Sequence, residues 1–96
     1  MKYIISYDIS NNIKRKEFSI FLISNNFIRI QKSIFLGEIK KEFLLEKTLI
    51  FNSFLNNKND SLFICPLCCE DLYKSYFLGK TFDLDNFDSF KQFILF

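Results

Sequence analysis

The chain places one acidic residue where a strand end could present it for metal chemistry. The apolar run that starts at Tyr3 ends in Asp8, and a side chain at the end of a buried strand meets solvent. Mg²⁺ prefers oxygen ligands, keeps several of its waters and often uses only one or two protein carboxylates. One aspartate per chain is therefore sufficient only if a twofold axis brings two copies together. Spacing alone favours the alternative that Asp8 opens the turn that follows it.

Three consecutive cations could bind phosphate. Lys14, Arg15 and Lys16 fall in the first turn of a predicted helix. The helix dipole disfavours cations there by about 0.3–1 kcal/mol each, so we expect a compensating anion, and phosphate is the obvious one. The alternative is a solvated lysine-rich face.

A second polar set lies on a strand with period-two alternation. Ile28, Ile30, Ile34 and Leu36 point one way, whereas Phe27, Arg29, Gln31, Ser33 and Phe35 point the other way. The pattern predicts an isoleucine face that is core and an opposite face that is polar, cationic and aromatic. Arginine can hold phosphate bidentately, and Ser or Gln can donate to backbone oxygens without reading sequence. Alternatively, this face is a dimer interface in which Phe35 is packed and Arg29 is paired with an acid.

The cysteines do not complete a metal site. Cys65, Cys68 and Cys69 resemble half of a zinc knuckle, but tetrahedral zinc needs four ligands and the chain has no histidine. Buried or spare thiols are the favoured interpretation, and a bridging site across a dimer stays open.

Composition indicates one small domain. The chain has 96 residues, of which 49% are hydrophobic and 14 are Phe, so a core can form without metal or disulfide. No stretch reaches the roughly 20 apolar residues of a membrane helix. The odd number of cysteines and the lack of a signal segment lead us to expect a cytoplasmic protein.

Charge is distributed unevenly. Residues 1–50 carry nine Lys/Arg against five Asp/Glu, or +4, whereas residues 51–96 carry four against six, or −2. A nucleic-acid footprint is therefore expected in the first half of the chain.

The order of the predicted elements indicates an α+β fold. We predict a strand over Lys2 to Asp8, a helix over Ile13 to Asn26, a strand over Phe27 to Leu36 that is continuous or split near Gln31-Lys32, a helix over Lys40 to Asn56 and a strand over Ser61 to Leu67. This order is typical of the ferredoxin-like βαββαβ fold. Residues 1–67 would form the core, and residues 68–96 an extension for dimerisation or partner docking. The extension would contain a short helix over residues 68–74, an added strand over 76–81 and a Phe-rich amphipathic helix over 85–96.

Together these features resemble a family of small CRISPR-associated adaptation proteins, the non-integrase subunit of the spacer-acquisition complex, also described as metal-dependent endonucleases or endoribonucleases. The resemblance rests on Tyr7-Asp8 at a strand end and on the segment from Arg29 to Phe35. It implies a homodimer in which paired Asp8 residues hold Mg²⁺ and are the catalytic residues. It implies that Arg15 contacts a duplex backbone.

The resemblance also implies a dimer interface and a function. The interface would include Tyr7, Phe35, Tyr76 and Leu78. The expected function is a structural, duplex-DNA-binding subunit that holds prespacer DNA between integrase dimers, with phosphate contacts from Lys14, Arg15, Lys16, Arg29, Gln31 and Ser33. The alternatives are a Mg²⁺-dependent endonuclease acting on DNA or single-stranded RNA through paired Asp8, and a related ferredoxin-like ribonuclease toxin.

Overall fold

Four strands and three helices form in residues 1–76 and 78, which the computed structural model describes. They are β1 (Lys2–Asp8), α1 (Asn12–Ser24), β2 (Ile28–Gln31), β3 (Ile34–Glu38), α2 (Lys41–Ser53), β4 (Ser61–Leu67) and α3 (Cys69–Tyr73). The sheet has the order β2-β3-β1-β4, and all neighbouring strands are antiparallel. This topology confirms the predicted ferredoxin-like α+β fold.

Asparagines set both ends of α1. The Asn11 side chain accepts a hydrogen bond of 2.9 Å from the Lys14 N–H and so satisfies one donor of the first turn. At the other end, Asn26 adopts a φ of 68°, a conformation that asparagine tolerates better than most residues. The Phe27 N–H then donates to the Leu22 carbonyl at 3.0 Å, and the chain turns into β2.

The long predicted strand is split, and its two halves form a hairpin. Lys32 and Ser33 make the turn between β2 and β3. The register shifts between Arg29 and Gln31, so that Arg29 lies opposite Phe35 but Gln31 lies opposite Ile34. Such a bulge inserts one extra residue and changes the face of every residue beyond it. The prediction that Arg29 and Gln31 share a face is therefore wrong.

The main core lies between the sheet and the helices α1 and α2. It is built around large side chains that are almost fully buried: Tyr3, Ile5, Tyr7, Ile9, Phe18, Leu22, Phe27, Phe35, Leu44 and Phe51. On α1, Phe18 and Leu22 are buried and Phe21 packs against the same cluster. On α2, in contrast, Phe43 is half exposed, so it is not part of the core.

The isoleucine face of the hairpin belongs to the smaller of two apolar layers. The sequence-based prediction that this face is the core and the opposite face is polar is therefore corrected. Ile30 and Leu36 pack with Leu72 of α3, while Ile4, Ile28, Ile34 and Leu67 are only partly buried around them. We call this side of the sheet the outer face. The Phe27 and Phe35 side is the true helix-facing core, because bulky rings fill the wider space between helices and sheet.

Two residues expected at a dimer interface lie inside the subunit. Tyr7 and Phe35 stack with ring centroids 6.1 Å apart, and the Tyr7 ring meets the edge of Phe18 at 4.9 Å. These contacts bury both side chains within the single chain, and their place at a dimer interface stays a prediction. Tyr76 and Leu78 are exposed and lie in no strand. The rest of the strand predicted over 76–81 and the helix predicted over 85–96 lie outside the described residues.

Within residues 1–76 and 78, no helix is long and apolar enough to cross a membrane.

Candidate nucleic-acid interface

A cationic cleft of about 420 Å³ lies between α1 and the β2–β3 hairpin. Its lining consists of Tyr7, Asn12, Arg15, Lys16, Ser19, Ile20, Ile23, Arg29 and Lys32. The lining holds four cations and no carboxylate. Cations gathered in a concave surface reinforce one another's potential, so the cleft attracts anions more strongly than the net charge of +2 would indicate.

Backbone and side-chain contacts hold the Arg15 guanidinium in place. One terminal nitrogen donates to the Ile9 carbonyl at 2.9 Å, and the other donates to the Asn12 side-chain oxygen. A guanidinium has five N–H donors, so these two bonds fix its orientation and leave donors for an anion. The compensation that a cation needs at a helix N-terminus is thus supplied partly by the protein itself.

Arg29 lies against the floor of the cleft. Its guanidinium carbon is 5.1 Å from the centroid of the Phe35 ring, a cation–π contact. It also lies near the Tyr7 hydroxyl, which donates to the Lys32 carbonyl at 3.5 Å. Burial raises the pKa of Tyr7 above its ordinary value, and this effect outweighs the opposing influence of the Arg29 hydrogen bond and of the Arg29 and Arg15 charges. The hydroxyl is therefore neutral at physiological pH and does not repel an anion.

The two lysines of the cleft are its mobile charges. Lys16 and Lys32 are both exposed, and neither ammonium group forms an ion pair or hydrogen bond with another described residue. The sequence analysis missed Lys32. Its signal was its position beside the predicted strand break, because a hairpin turn brings its residues to the same edge as the preceding strand.

The other predicted phosphate contacts lie elsewhere. Lys14 is outside the cleft lining, and its ammonium group is 3.8 Å from the Glu17 carboxylate. Gln31 is turned to the outer face by the bulge. Ser33 lies in the turn, where its carbonyl accepts the Tyr7 N–H at 3.1 Å. The structure therefore brings together Arg15, Lys16 and Arg29 of the six predicted residues.

Asp8 lies on the opposite side of the sheet from the cleft. Because Tyr3, Ile5 and Tyr7 enter the helix-side core, alternation directs Ile4, Ser6 and Asp8 to the outer face. Asp8 is exposed, lies opposite Ser61 in β4, and its carboxylate contacts no other described residue by hydrogen bond or ion pair.

The surroundings of Asp8 offer oxygen ligands of the kind expected at a Mg²⁺ site. A carboxylate is a suitable ligand for Mg²⁺. The hydroxyls of Ser6 and Ser61 lie on the same face and are oxygen groups as well. However, the described residues contain no group of three or more His, Cys, Asp or Glu that could hold a metal. Asp8 thus fits as one ligand of a Mg²⁺ site, and its pairing with a second copy of the chain stays a prediction.

The carboxylate of Asp60 stabilises the loop that follows Asp8 by accepting hydrogen bonds. One of its oxygens accepts the Ser10 N–H at 3.0 Å and the Ser10 hydroxyl at 2.9 Å, and the other accepts the Asn56 N–H at 2.9 Å. The Asn56 and Ser10 hydrogen bonds lower the pKa of Asp60. This junction joins residues 50 apart in sequence, and no local pattern could have revealed it.

The three thiols differ in exposure: Cys65 is partly buried, whereas Cys68 and Cys69 are exposed. All three cysteines are free. Cys68 caps α3, because its sulfur accepts the Asp71 N–H at 3.4 Å and its thiol donates to the Asp71 carboxylate at 2.9 Å. The described residues contain no group of three or more His, Cys, Asp or Glu that could hold a metal, and a zinc site bridging two chains stays a prediction.

Comparison with known proteins identifies relatives by fold and by sequence pattern. No curated protein sequence matches the chain. Among solved structures, Streptococcus pyogenes Cas2 superposes with a TM-score of 0.73 at 15% identity, covering 82% of this chain and all 100% of that one. A hypothetical protein, TT1823 from Thermus thermophilus, superposes with a TM-score of 0.69 at 24% identity, covering 82% of this chain and 90% of that one. At these identities the two superpositions establish the fold.

The sequence pattern establishes the family. The family model of the CRISPR associated protein Cas2 matches residues 1–75, which include every element described above. The fold and this match agree, and the chain belongs to the Cas2 family of CRISPR-associated proteins.

Proposed function

We propose that this chain is the structural, duplex-DNA-binding subunit of a cytoplasmic CRISPR adaptation complex, in which it works as a homodimer with an integrase. Membership in the Cas2 family supports a role in CRISPR adaptation. The observation that carries the finer assignment is the cleft of Arg15, Lys16, Arg29 and Lys32, which contains four cations and no carboxylate.

Such a cleft suits phosphate and is poorly suited to hydrolysis. Arginine and lysine neutralise backbone phosphates and position a duplex without reading its bases. Asp8, the one residue proposed for metal chemistry, lies on the other face of the sheet. Binding of DNA by the cleft and any chemistry at Asp8 therefore involve separate surfaces.

Salt-dependent duplex binding tests the proposal. We compare the wild type with Lys16→Gln/Lys32→Gln, which removes two exposed charges of the cleft, and with Lys41→Gln/Lys58→Gln, which removes two exposed charges outside it. A plot of the logarithm of the binding constant against the logarithm of the salt concentration has a negative slope. Its magnitude is about 0.9 for each phosphate that the protein neutralises. The cleft variant should lose about 2 from this slope, and the control should keep it. Equal slopes for the two variants would contradict the proposal.

A second candidate, a Mg²⁺-dependent endonuclease acting through paired Asp8, has one observation in its favour. The Asp8 carboxylate is exposed and contacts no other described side chain, as expected of a residue kept for a ligand. Mg²⁺ bound there would neutralise charge on a phosphate or activate a water. Asp8 would hold the ion, and its symmetry mate would supply the second carboxylate.

The Asp8→Ala variant separates the two functions. Integration of a prespacer by the cognate integrase is measured with wild type and variant, alongside dimer formation and duplex binding. Full integration by the variant would leave the chain a scaffold. Loss of integration with dimer and duplex binding intact would mean that the carboxylate itself contributes. Cleavage of single-stranded RNA or DNA that persists in the variant would contradict the endonuclease.

A further inference from the structure

We propose that the cationic cleft is a discrete subsite for one nucleotide that carries a terminal phosphate, with its base or sugar against the side chains of Ile20 and Ile23. This inference rests on the proposed function in so far as both assign phosphate binding to Arg15, Lys16 and Arg29. It adds a ligand class, a phosphate monoester attached to a nucleoside, to a surface otherwise described only as a contact for duplex backbone.

The shape of the surface is the first argument. A duplex backbone presents a row of phosphates, each with one negative charge, and can be held by cations spread over a flat or convex surface. Here the cations converge on a concavity of about 420 Å³, a size within the range of roughly 300–1,000 Å³ typical of small-molecule pockets. A terminal phosphate monoester carries nearly two negative charges, so it matches convergent cations better than an internal diester does.

The apolar part of the lining is the second argument. Ile20 and Ile23 lie three residues apart on α1 and are 56% and 54% exposed. The core side of α1 is supplied by Phe18 and Leu22, so more than half of each isoleucine stays open to solvent in the described chain. An inorganic anion would leave them in water, whereas the base or sugar of a nucleotide would cover them.

Preorganisation is the third argument. Arg15 is held by the Ile9 carbonyl and Asn12, and Arg29 is held over the Phe35 ring and beside the Tyr7 hydroxyl. Fixed donors lose less conformational entropy when a ligand arrives. Lys16 and Lys32 can then adjust to the ligand from opposite sides, one on α1 and one in the hairpin turn.

The ligand could be a free nucleoside monophosphate or the phosphorylated end of a nucleic-acid strand. Calorimetric titration with adenosine 5′-monophosphate, adenosine and inorganic phosphate tests the shared chemistry. Duplexes of one sequence with a 5′-phosphate or a 5′-hydroxyl distinguish the two sources. A preference for the phosphorylated duplex indicates a strand end, and binding of the nucleotide without that preference indicates a free nucleotide.

Two double variants identify the parts of the subsite. Lys16→Gln/Lys32→Gln should weaken binding of the monophosphate by about tenfold or more, and the Lys41→Gln/Lys58→Gln control should leave it unchanged. Ile20→Ser/Ile23→Ser should weaken binding of the monophosphate by about tenfold without changing that of inorganic phosphate. Because all six positions are exposed, these substitutions spare the core.

The outcomes separate this inference from the proposed function. The inference is overturned if the monophosphate binds no more tightly than inorganic phosphate, or if the isoleucine variant binds it like wild type. If that occurs while the lysine variant still loses duplex affinity, duplex binding stands and the nucleotide subsite fails. If the monophosphate responds to both variants but the duplex does not bind, the subsite stands and the duplex-binding function fails.

Discussion

At the scale of single residues, Asp60 holds two loops together near Asp8. Its two oxygens accept three hydrogen bonds, from Ser10 and Asn56. The loop after β1 is thereby tied to the loop before β4. Because β1 and β4 are neighbours in the sheet, the contact closes the end of the sheet at which Asp8 lies.

Replacing Asp60 by Asn should destabilise the fold in a pH-dependent way. An amide has one oxygen and one NH₂ group, so one of the two sides would place a donor against a donor. The pKa of Asp60 is lowered below 3.8 in the folded state, so its stabilisation is present above that unfolded value and is lost as pH falls through the lower folded value. Thermal melts should therefore show a clear gap from wild type at pH 7 that narrows toward pH 2.

The exposed Glu46 provides the control for this prediction. Glu46→Gln removes the same charge without breaking a described contact, so its melting temperature should follow wild type at both pH values. A gap for Asp60→Asn that stays constant across this range would contradict the role given to the charge of Asp60.

Gly37 is a second residue whose identity the packing requires. A Cβ at this position would meet the ring of Phe27 directly. Gly37→Ala should cost about 1–3 kcal/mol of the free energy of unfolding, as overpacked cores do. Urea unfolding measures the loss, and adding Phe27→Leu should recover part of it because the smaller side chain yields space. A Gly37→Ala variant as stable as wild type would show that the ring can move aside.

At the scale of elements, the sequence predicted most of the fold but not which residues share a face. Helix and strand positions follow from local periodicity and from caps such as Asn11 and Asn26, which act within a few residues. The bulge between Arg29 and Gln31 left no local signal, because an extra residue does not change the types of its neighbours. It reversed the expected side of Gln31.

The candidate site was predictable in the same uneven way. Charge and position on a helix or strand indicate Arg15, Lys16 and Arg29, and the fold brings them together. Lys32 required the hairpin turn to be known. The internal partners of Lys14 and Arg15, which reduce the need for an external anion, required three-dimensional contacts that periodicity cannot supply.

The short helix α3 is part of the folded core although it follows the last core strand. Leu72 is fully buried against Ile30 and Leu36. Leu72→Ala should cost about 2–5 kcal/mol of stability, as deletion of buried leucines does. Leu49→Ala is the matched control, because Leu49 is 79% exposed on α2 and its truncation should change the urea midpoint little. Equal losses for the two variants would contradict the assignment of α3 to the core.

At the scale of the whole molecule, the two sides of the sheet face different environments. The helix side is closed by aromatic packing, whereas the outer face leaves Phe63 62% exposed opposite Ser6. Ile4 and Ile34 lie on the same face and are only partly buried. This apolar surface surrounds the strand that ends in Asp8, so the proposed pairing of two Asp8 residues would bury it.

The proposed homodimer predicts a specific difference between two phenylalanines. Phe63→Glu places a charge on the outer face and should convert a dimer into monomers, because burying an unpaired charge is costly. Phe43→Glu makes the same change on the other side of the molecule, where Phe43 is 50% exposed on α2, and should leave the dimer intact. Sedimentation velocity measures both. A dimer that survives Phe63→Glu would exclude the outer face as the interface.

The bulge in β2 also affects how copies of this chain can assemble by adding strands to the sheet. Within the described residues, β2 and β4 are the two edges of the sheet. A short, irregular strand is a poor template for another chain, and β2 has four residues and a register shift, whereas β4 has seven residues in regular pairing with β1. Among the described strands, β4 is therefore the better template for an added strand. A unit with one receptive edge ends in a closed pair, while a unit with two would propagate into fibres.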